Sequence, residues 1–572
     1  MTCSKIFSEL PELLSEIIQY FRCDFSALHS CILVDRLWCR LAIPLLWENP
    51  FSIIHRGNCD SIEHYKIRFI EIYLANLNDD DKIKLNKYGV ELLSNTLFNY
   101  PSFIKHLYMY SISNSIKKWV ATIEKFKRIL QFIDGTQDLD FTSFVYKSLI
   151  KIFIENEAKL HTFKVTNQHE HFDIISELVL QSSNFIYNIK HLDINLVVSY
   201  GAETNDIRPL LKFLSSNCNS ISAINFSSVN KHKFNIVIKC LSQLINSQKN
   251  LKKIFFNNYF PYSALLDSNC LNNLNTITFS YVSFENINCL TEVFEQLNVL
   301  ESIHIFNCFS LDFNFVQQII NITKPFKLKS LFVSEMFESI ELLLQKSGSY
   351  LENFGFQSFE IDEDNNNRSE YHLLELESQL LESESLLIES ITKYCTKIKF
   401  FELLEFNNQN IYSAFNLIVN TEQNLNYLSI DLSYNYGTCD DELSSIIVLR
   451  NLGQILPFKL EYLNLSLSID TFDLTDFEIF LKNSQNTFIK KLLFYNIIEG
   501  TREKMGQDGM INYIKKYIMK EERVRYLAFQ NNPDNGELFY LEDEVKEFKS
   551  HNITIQKYND LYISFFNMIK ND

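Results

Sequence analysis

From Ile104 onward the chain repeats one pattern, apolar-x-x-apolar-x-apolar, and between its occurrences the apolar residues switch to helical spacing. The pattern appears as Ile104-Leu107-Met109, Leu160-Phe163-Val165, Ile189-Leu192-Ile194, Ile221-Ile224-Phe226, Leu251-Ile254-Phe256, Leu274-Ile277-Phe279 and Leu300-Ile303-Ile305. It continues as Leu328-Leu331-Val333, Leu351-Phe354-Phe356, Ile398-Phe401-Leu403, Leu425-Leu428-Ile430, Leu460-Leu463-Leu465, Ile489-Leu492-Phe494 and Val524-Leu527-Phe529. The starts lie about 32 residues apart on average, the period of a stacked repeat array. Two intervals are long: Ile104 to Leu160 leaves room for a degenerate unit, and Leu351 to Ile398 holds an insertion. In the intervening stretches Leu290, Val293, Phe294 and Leu297 fall on one helical face, and Ile340, Leu343 and Leu344 precede Gly348, a helix-stop residue.

Alternation of a short strand with a helix predicts an α/β solenoid, in which each unit buries the last two apolar positions of its strand and one helix face against its neighbours. Residues between those positions point to the opposite face of the sheet. Just before the second buried position the late units carry Phe400, Tyr427, Tyr462, Lys491 and Tyr526, expected to stack into one stripe with strands about 5 Å apart. Aromatic side chains are common binding anchors, which makes this stripe a candidate target-binding surface. The chain is rich in Phe and Tyr throughout, so composition alone also yields such a stripe.

The array resembles leucine-rich repeat proteins of the ribonuclease-inhibitor-like type, and the resemblance implies a curved parallel sheet inside with helices outside. Leu300 to Cys308 completes the L-x-x-L-x-L-x-x-C form of that family. Elsewhere the ninth position is Tyr259, Val282, Met336, Phe359, Phe406 or Ser433, so the asparagine or cysteine ladder that ties neighbouring turns in the family is expected to be mostly absent.

Ahead of the array, Leu10, Leu13, Leu14, Ile17, Ile18 and Phe21 recur at helical spacing, with Pro11 suited to a first helical turn. Asp24 and Ser26 are cap candidates for a second helix carrying Leu28, Cys31 and Val34. Trp38, Leu41 and Leu45 continue the apolar face toward Trp47, and Pro44 is expected to end or kink the last helix. Some forty residues of this kind bury little surface alone, so the unit needs the following domain or a partner. Leu10-Pro11, Leu13/Leu14, Ile17/Ile18, Leu28, Val34, Trp38 and Leu46-Trp47 resemble the F-box pattern from end to end. Ile32 to Asp35 departs from it, standing where the family often has a small or cysteine residue followed by a basic one. The resemblance implies a three-helix module that docks on the Skp-type adaptor of a cullin-RING ubiquitin ligase, with Leu10, Pro11, Leu14, Ile17, Ile18, Phe21, Leu28, Val34, Trp38 and Trp47 as the adaptor-binding set. It makes the chain a non-catalytic substrate receptor, the repeats binding a target protein. A repeat scaffold without ligase recruitment is the alternative.

The organisation expected is therefore residues 1–48 as the F-box, 49–103 as a helical coupling segment and 104–572 as the array. In the coupling segment Ile67, Ile70, Tyr73 and Leu74 suggest a helix, Asn76 to Lys82 a polar break, and Val90 to Phe98 a further helix.

Charge and composition narrow the partners. With 70 acidic against 53 basic residues the net charge is -17, which disfavours nucleic acid and anionic membrane as ligands. The twelve cysteines contain no C-x-x-C pair, no run reaches the length of a membrane span, and the first residues lack a signal-peptide core, so a cytoplasmic or nuclear location is expected. No phosphate-loop, dinucleotide, zinc-protease or nucleophile-elbow motif is present, and no cofactor is expected. Three further features admit two readings. Asn114 to Ile133 is a basic amphipathic stretch, suited to a membrane surface but more simply an outer-layer repeat helix. His169-Glu170-His171 offers two imidazoles for a metal without a third ligand nearby, and reads more simply as a polar loop. Glu360 to Glu389 carries ten acidic residues against Arg368, the acidic insertion of residues 360–390: a docking loop for a basic partner or a tolerated surface insertion, with Glu370 to Tyr394 helical.

Overall fold

The computed structural model describes residues 11–22, 24–52, 68–90, 92, 96–123, 136–197, 206–228, 235–266, 273–333, 339–357, 383–404, 410–432, 439–469, 474–497, 504–519, 523–531 and 537–564. They fall into two compact units, Met1–Asn275 and Thr276–Asp572.

The first unit opens with three helices, α1 (Pro11–Gln19), α2 (Phe25–Ile32) and α3 (Arg36–Leu46). Proline at the first position of α1 loses no helical hydrogen bond. Leu14 and Ile18, one turn apart, turn inward and close a core with Leu28, Cys31, Ala42 and Leu45. Asp24 caps α2 by accepting from the Ala27 N–H at 2.9 Å, whereas Ser26 lies inside the helix. Asp35 caps α3, its Oδ1 accepting from Leu37 N–H at 2.7 Å and Trp38 N–H at 2.9 Å. The departure from the family pattern at this position thus has a local purpose, because a capping acceptor starts the third helix. Pro44 does not end α3; the helix runs on to Leu46, with Trp47 N–H closing onto the Ile43 carbonyl.

Helices Phe69–Leu74 and Asp79–Lys87 follow. The polar stretch expected as a break is the start of the second of these: Asn78 Oδ1 accepts from Asp81 N–H, and three aspartates occupy the first turn, where the helix dipole favours them. The further helix expected over Val90 to Phe98 is not found among the described residues of that stretch. Gly89, at φ +83°, takes the left-handed conformation that stops the preceding helix.

Among the described residues, five parallel strands complete the first unit: β1 (His106–Tyr108), β2 (Thr162–Thr166), β3 (His191–Leu196), β4 (Ala223–Ser228) and β5 (Lys253–Asn257), each paired with the next. The second unit holds ten more in chain order: β6 (Thr276–Ser280), β7 (Ser302–Phe306), β8 (Leu328–Val333), β9 (Asn353–Gln357) and β10 (Phe400–Leu404). After them come β11 (Tyr427–Asp431), β12 (Tyr462–Leu467), β13 (Lys491–Asn496), β14 (Tyr526–Asn531) and β15 (Thr554–Ile555). Both units are thus all-parallel repeat arrays of strand and helix, solenoid-like as expected. The strands begin two residues after the first apolar position of their repeat, except β8, which begins on Leu328 itself, where the register shifts between Ile303 and His304. β15 is too short to show the repeat pattern and is not visible in it.

The long interval after Ile104 holds no hidden strand among its described residues, which include the helices Met109–Thr122 and Thr136–Glu155. Of the acidic insertion, residues 360–382 lie outside the described residues, and 383–394 are helical.

What ties one repeat to the next is mostly main chain. The carbonyl just ahead of a strand accepts from the N–H groups that open the following strand: Lys190 O from Ser222 and Ala223 at 2.8 and 3.0 Å, Asn426 O from Glu461 and Tyr462 at 2.9 and 3.1 Å. Glu48, just past α3, heads the series, its carbonyl accepting from Lys105 and His106 at 3.0 and 3.3 Å. Side-chain bridging also survives, one position earlier than the ninth. Asn167 Oδ1 accepts from Val197 N–H at 2.9 Å while its amide donates to the Val197 carbonyl at 3.2 Å. Asn496 holds Ile469 in the same way, at 3.0 and 3.2 Å.

Candidate interaction surfaces

The three-helix module keeps some of its apolar residues for itself and leaves others outside. Leu14, Ile18 and Leu28, expected as adaptor contacts, are at most 1% exposed and form the module's own core. Phe21 and Trp38 are half-buried against that core, Ile17 is half-buried, Pro11 and Val34 are exposed, and Leu10 lies outside the described residues. Leu13, Tyr20, Phe25 and Leu33 join Val34 among the exposed large apolar side chains, with Tyr20 89% and Leu33 74% exposed. Tyr20, Phe25 and Leu33 fall off the regular apolar spacing, which marks the positions a helical hairpin needs for itself.

Trp47 marks the join to the array. Its ring lies 4.2 Å from that of Tyr100 and edge-on to Tyr73 at 5.4 Å. Beside it the Glu48 carboxylate, 5% exposed, binds Arg22 at 2.6 Å and Lys105 at 3.3 Å. The module is thereby fixed to the first strand by main-chain bonds, edge-on and tilted ring contacts and a buried carboxylate, as a stiff connection requires.

In the second unit the stripe of Phe400, Tyr427, Tyr462, Lys491 and Tyr526 forms in register across β10–β14. The Phe400 and Tyr427 rings stack at 6.2 Å, and those of Tyr427 and Tyr462 lie 5.9 Å apart. The stripe is free surface only at its far end, where Tyr526 is 37% exposed. Phe400 and Tyr462 are 0% exposed, because residues that follow β15 cross the same face. The Tyr558 hydroxyl donates to Asn464 Oδ1 at 2.7 Å, the Tyr562 hydroxyl to Glu402 Oε1 at 3.3 Å, and the Ile563 N–H to the Tyr462 hydroxyl at 3.0 Å. Leu561 packs with Tyr462, Leu493 and Ala528, while Ile563 packs with Phe306, Phe332 and Phe400. The Phe332 ring lies over Gly355, where an added Cβ would meet it at 2.3 Å. Burial of Tyr558 and Tyr562 pushes both phenols above their ordinary range, so they cross this face as neutral donors.

The remaining candidates resolve into structure. The His169-Glu170-His171 stretch is a turn between β2 and the helix Phe172–Leu180, with Gln168 and Glu170 exposed and His169 and His171 only 3% and 2% exposed. His169 Nδ1 accepts from the His171 N–H at 3.1 Å, and both rings pack on Tyr146. Among the described residues no group of three or more His, Cys, Asp or Glu is arranged to hold a metal. In the basic stretch, Ile116, Trp119 and Val120 are buried, Trp119 Nε1 donates to Glu71 at 3.2 Å, and Lys117 pairs with Glu170 at 2.7 Å, while residues 124–133 lie outside the described residues. Its described part belongs to the repeat helix Met109–Thr122. No described helix is long and apolar enough to cross a membrane. The described cysteines are free thiols, and burial pushes those of Cys218, Cys308 and Cys395 up to about 12.

No protein-family model matches the chain, and no curated protein matches it.

Proposed function

We propose that the chain is the substrate-recognition subunit of a Skp-cullin-F-box type ubiquitin ligase, its N-terminal module holding the adaptor and its repeats binding a target protein. The observation that carries this reading is the division of labour within the module. A closed core of its own leaves Leu13, Tyr20, Phe25, Leu33 and Val34 exposed. Single exposed apolar residues are ordinary, but five large ones between positions 13 and 34 suit a docking surface. No chemistry is asked of the chain; holding a target near a ubiquitin-loaded enzyme raises its effective concentration. The join at Trp47 and Glu48 suits that task, because positioning needs a stiff link.

Co-purification of the intact chain with the Skp-type adaptor, beside Leu10→Ala/Pro11→Ala and Leu13→Asp/Val34→Asp variants, tests it. Intact binding that falls at least ~10-fold in either folded variant is expected, the loss of more than one anchor residue. A folded intact chain that fails to bind the adaptor overturns the proposal, and adaptor binding without cullin recruitment favours a scaffold instead.

A further inference from the structure

The second unit's sheet has a ligand already seated on it, and that ligand is its own chain. We propose that the face of β10–β14 turned away from the helices is a groove for a short peptide of the form aromatic-x-x-aliphatic-aromatic-aliphatic, and that Tyr558–Ile563 occupies it in cis as a competitor. This deepens the reading of the repeats as a target-binding surface and rests on that part of it, not on the adaptor.

The groove has a polar centre and apolar walls. At the middle position of three neighbouring strands stand Glu402, Ser429 and Asn464, each at most 2% exposed. Asn464 donates to Ser429 Oγ at 3.1 Å and accepts from Tyr558 at 2.7 Å, so the first aromatic hydroxyl of the segment completes a chain of hydrogen bonds across strands. Glu402 receives the second hydroxyl, and the Tyr462 hydroxyl accepts a main-chain N–H. One main-chain and two side-chain hydrogen bonds define both the direction and the spacing of the bound segment. On the next two strands the middle positions are Leu493 and Ala528, and the small alanine leaves room for the helical turn Tyr558–Leu561. Ile563 reaches an apolar floor that runs on through Phe400 to Phe306 and Phe332.

The segment is held as a ligand is held. β15 is only two residues long, and past it the sheet bond from Gln556 N–H to the Leu527 carbonyl ends the pairing. The strands beneath are registered to one another by their own ladders, so release of the segment leaves β10–β14 intact and exposes the stripe. A tether this short gives the cis segment an effective concentration of order millimolar, and a partner peptide must outcompete it.

The test uses the full chain, the chain ending at Gln556, and a labelled synthetic peptide of residues 557–564, read by fluorescence anisotropy. The shortened chain is expected to bind the peptide saturably and at least ~10-fold more tightly than the intact chain, and Tyr462→Ala in the shortened chain to weaken it again by ~10-fold or more. A shortened chain that keeps a cooperative unfolding transition yet binds no better than the intact one overturns the proposal. Should the shortened chain not fold, Tyr562→Glu in the intact chain replaces it: a carboxylate set beside Glu402 and Asp431 expels the segment, so peptide binding rises, and a folded variant without that rise overturns the proposal. Adaptor co-purification of the same chains separates this inference from the ligase reading. Peptide binding lost with the adaptor retained overturns only the groove; adaptor lost with peptide binding retained supports the groove and strikes only the ligase reading.

Discussion

The same repeat builds two different sheet faces. In the first unit β3, β4 and β5 bury every second residue and leave the alternate ones half-buried or exposed, as a sheet covered on one side must. Their open positions are mostly polar: His191, Asp193 and Asn195, then Asn225 and Ser227, then Lys253 and Asn257, with Ala223 and Phe255 the exceptions. In the second unit β12 is buried at all six positions and β10 at four of five, because a second layer covers the face. The helices, period and main-chain bridging are alike in both, so the difference lies in the alternate positions and in what crosses them. Repeat architecture sets where side chains point, and those side chains decide whether the face stays open.

The largest test of that contrast is Tyr462→Ala. The ring is wholly buried between Tyr427 and the segment after β15, and its hydroxyl accepts the Ile563 N–H. Truncation removes a buried aromatic and leaves an unmet donor, a loss of about 4 kcal/mol. Urea unfolding followed by circular dichroism reads it as a lowered midpoint. A loss below about 1 kcal/mol, the ordinary effect of a surface substitution, would mean the second face is as open as the first.

Acid acts on the first unit through buried imidazoles. Burial first, and the neighbouring His171 second, hold His169 down at about 4. Nδ1 of His169 already accepts a main-chain N–H, so a second proton on the ring sets donor against donor. The unfolded chain, with an ordinary imidazole, binds that proton at higher pH than the folded one does. Stability from this group is full above pH ~6.5 and is lost as pH falls toward 4, about 3 kcal/mol in all. Hydrogen exchange of the helix Phe172–Leu180, compared at pH 7 and 4.5, reads the loss, and His169→Gln should flatten the dependence. An unchanged slope in the variant would remove His169 as its source.

Much of this was legible in the sequence, and the failures share a cause. The apolar triplets located fourteen of the strands because each needs two buried residues whatever else it does. The stripe came out in register for the same reason. What covers the stripe was not legible. Tyr462, Asn464 and Ser466 are residue types that sit equally well on a wetted face, and Tyr558 to Ile563 is too short to show a period. The covering contact joins Tyr562 to Glu402 across 160 positions, and no local pattern carries such a pairing. In the N-terminal module Leu14, Ile18 and Leu28 lie in the module's own core, and spacing does not separate the two uses, because a partner's surface and a small core are both written in regular apolar spacing.

Tyr558→Phe is a finer probe of the covered face. It keeps the ring and removes the hydroxyl, leaving Asn464 Oδ1 buried without that donor. A loss of about 2 kcal/mol is expected from the unmet acceptor, read from the shift of the urea midpoint. Tyr558→Ala losing no more than Tyr558→Phe would mean that the ring contributes nothing.

The smallest effect belongs to the open face. Lys164 pairs with Asp193 at 2.9 Å, but the two side chains are 40% and 18% exposed. Water and salt screen such a pair, and holding two flexible side chains together offsets part of the attraction, so Lys164→Ala should change stability by no more than about 0.5 kcal/mol. Raising the salt concentration should shrink even that. The comparison between the faces depends on this result being small. A loss of 2 kcal/mol or more, insensitive to salt, would mean that Lys164 is desolvated in solution as Tyr462 is, and that some part of the chain or a second molecule covers the first face too.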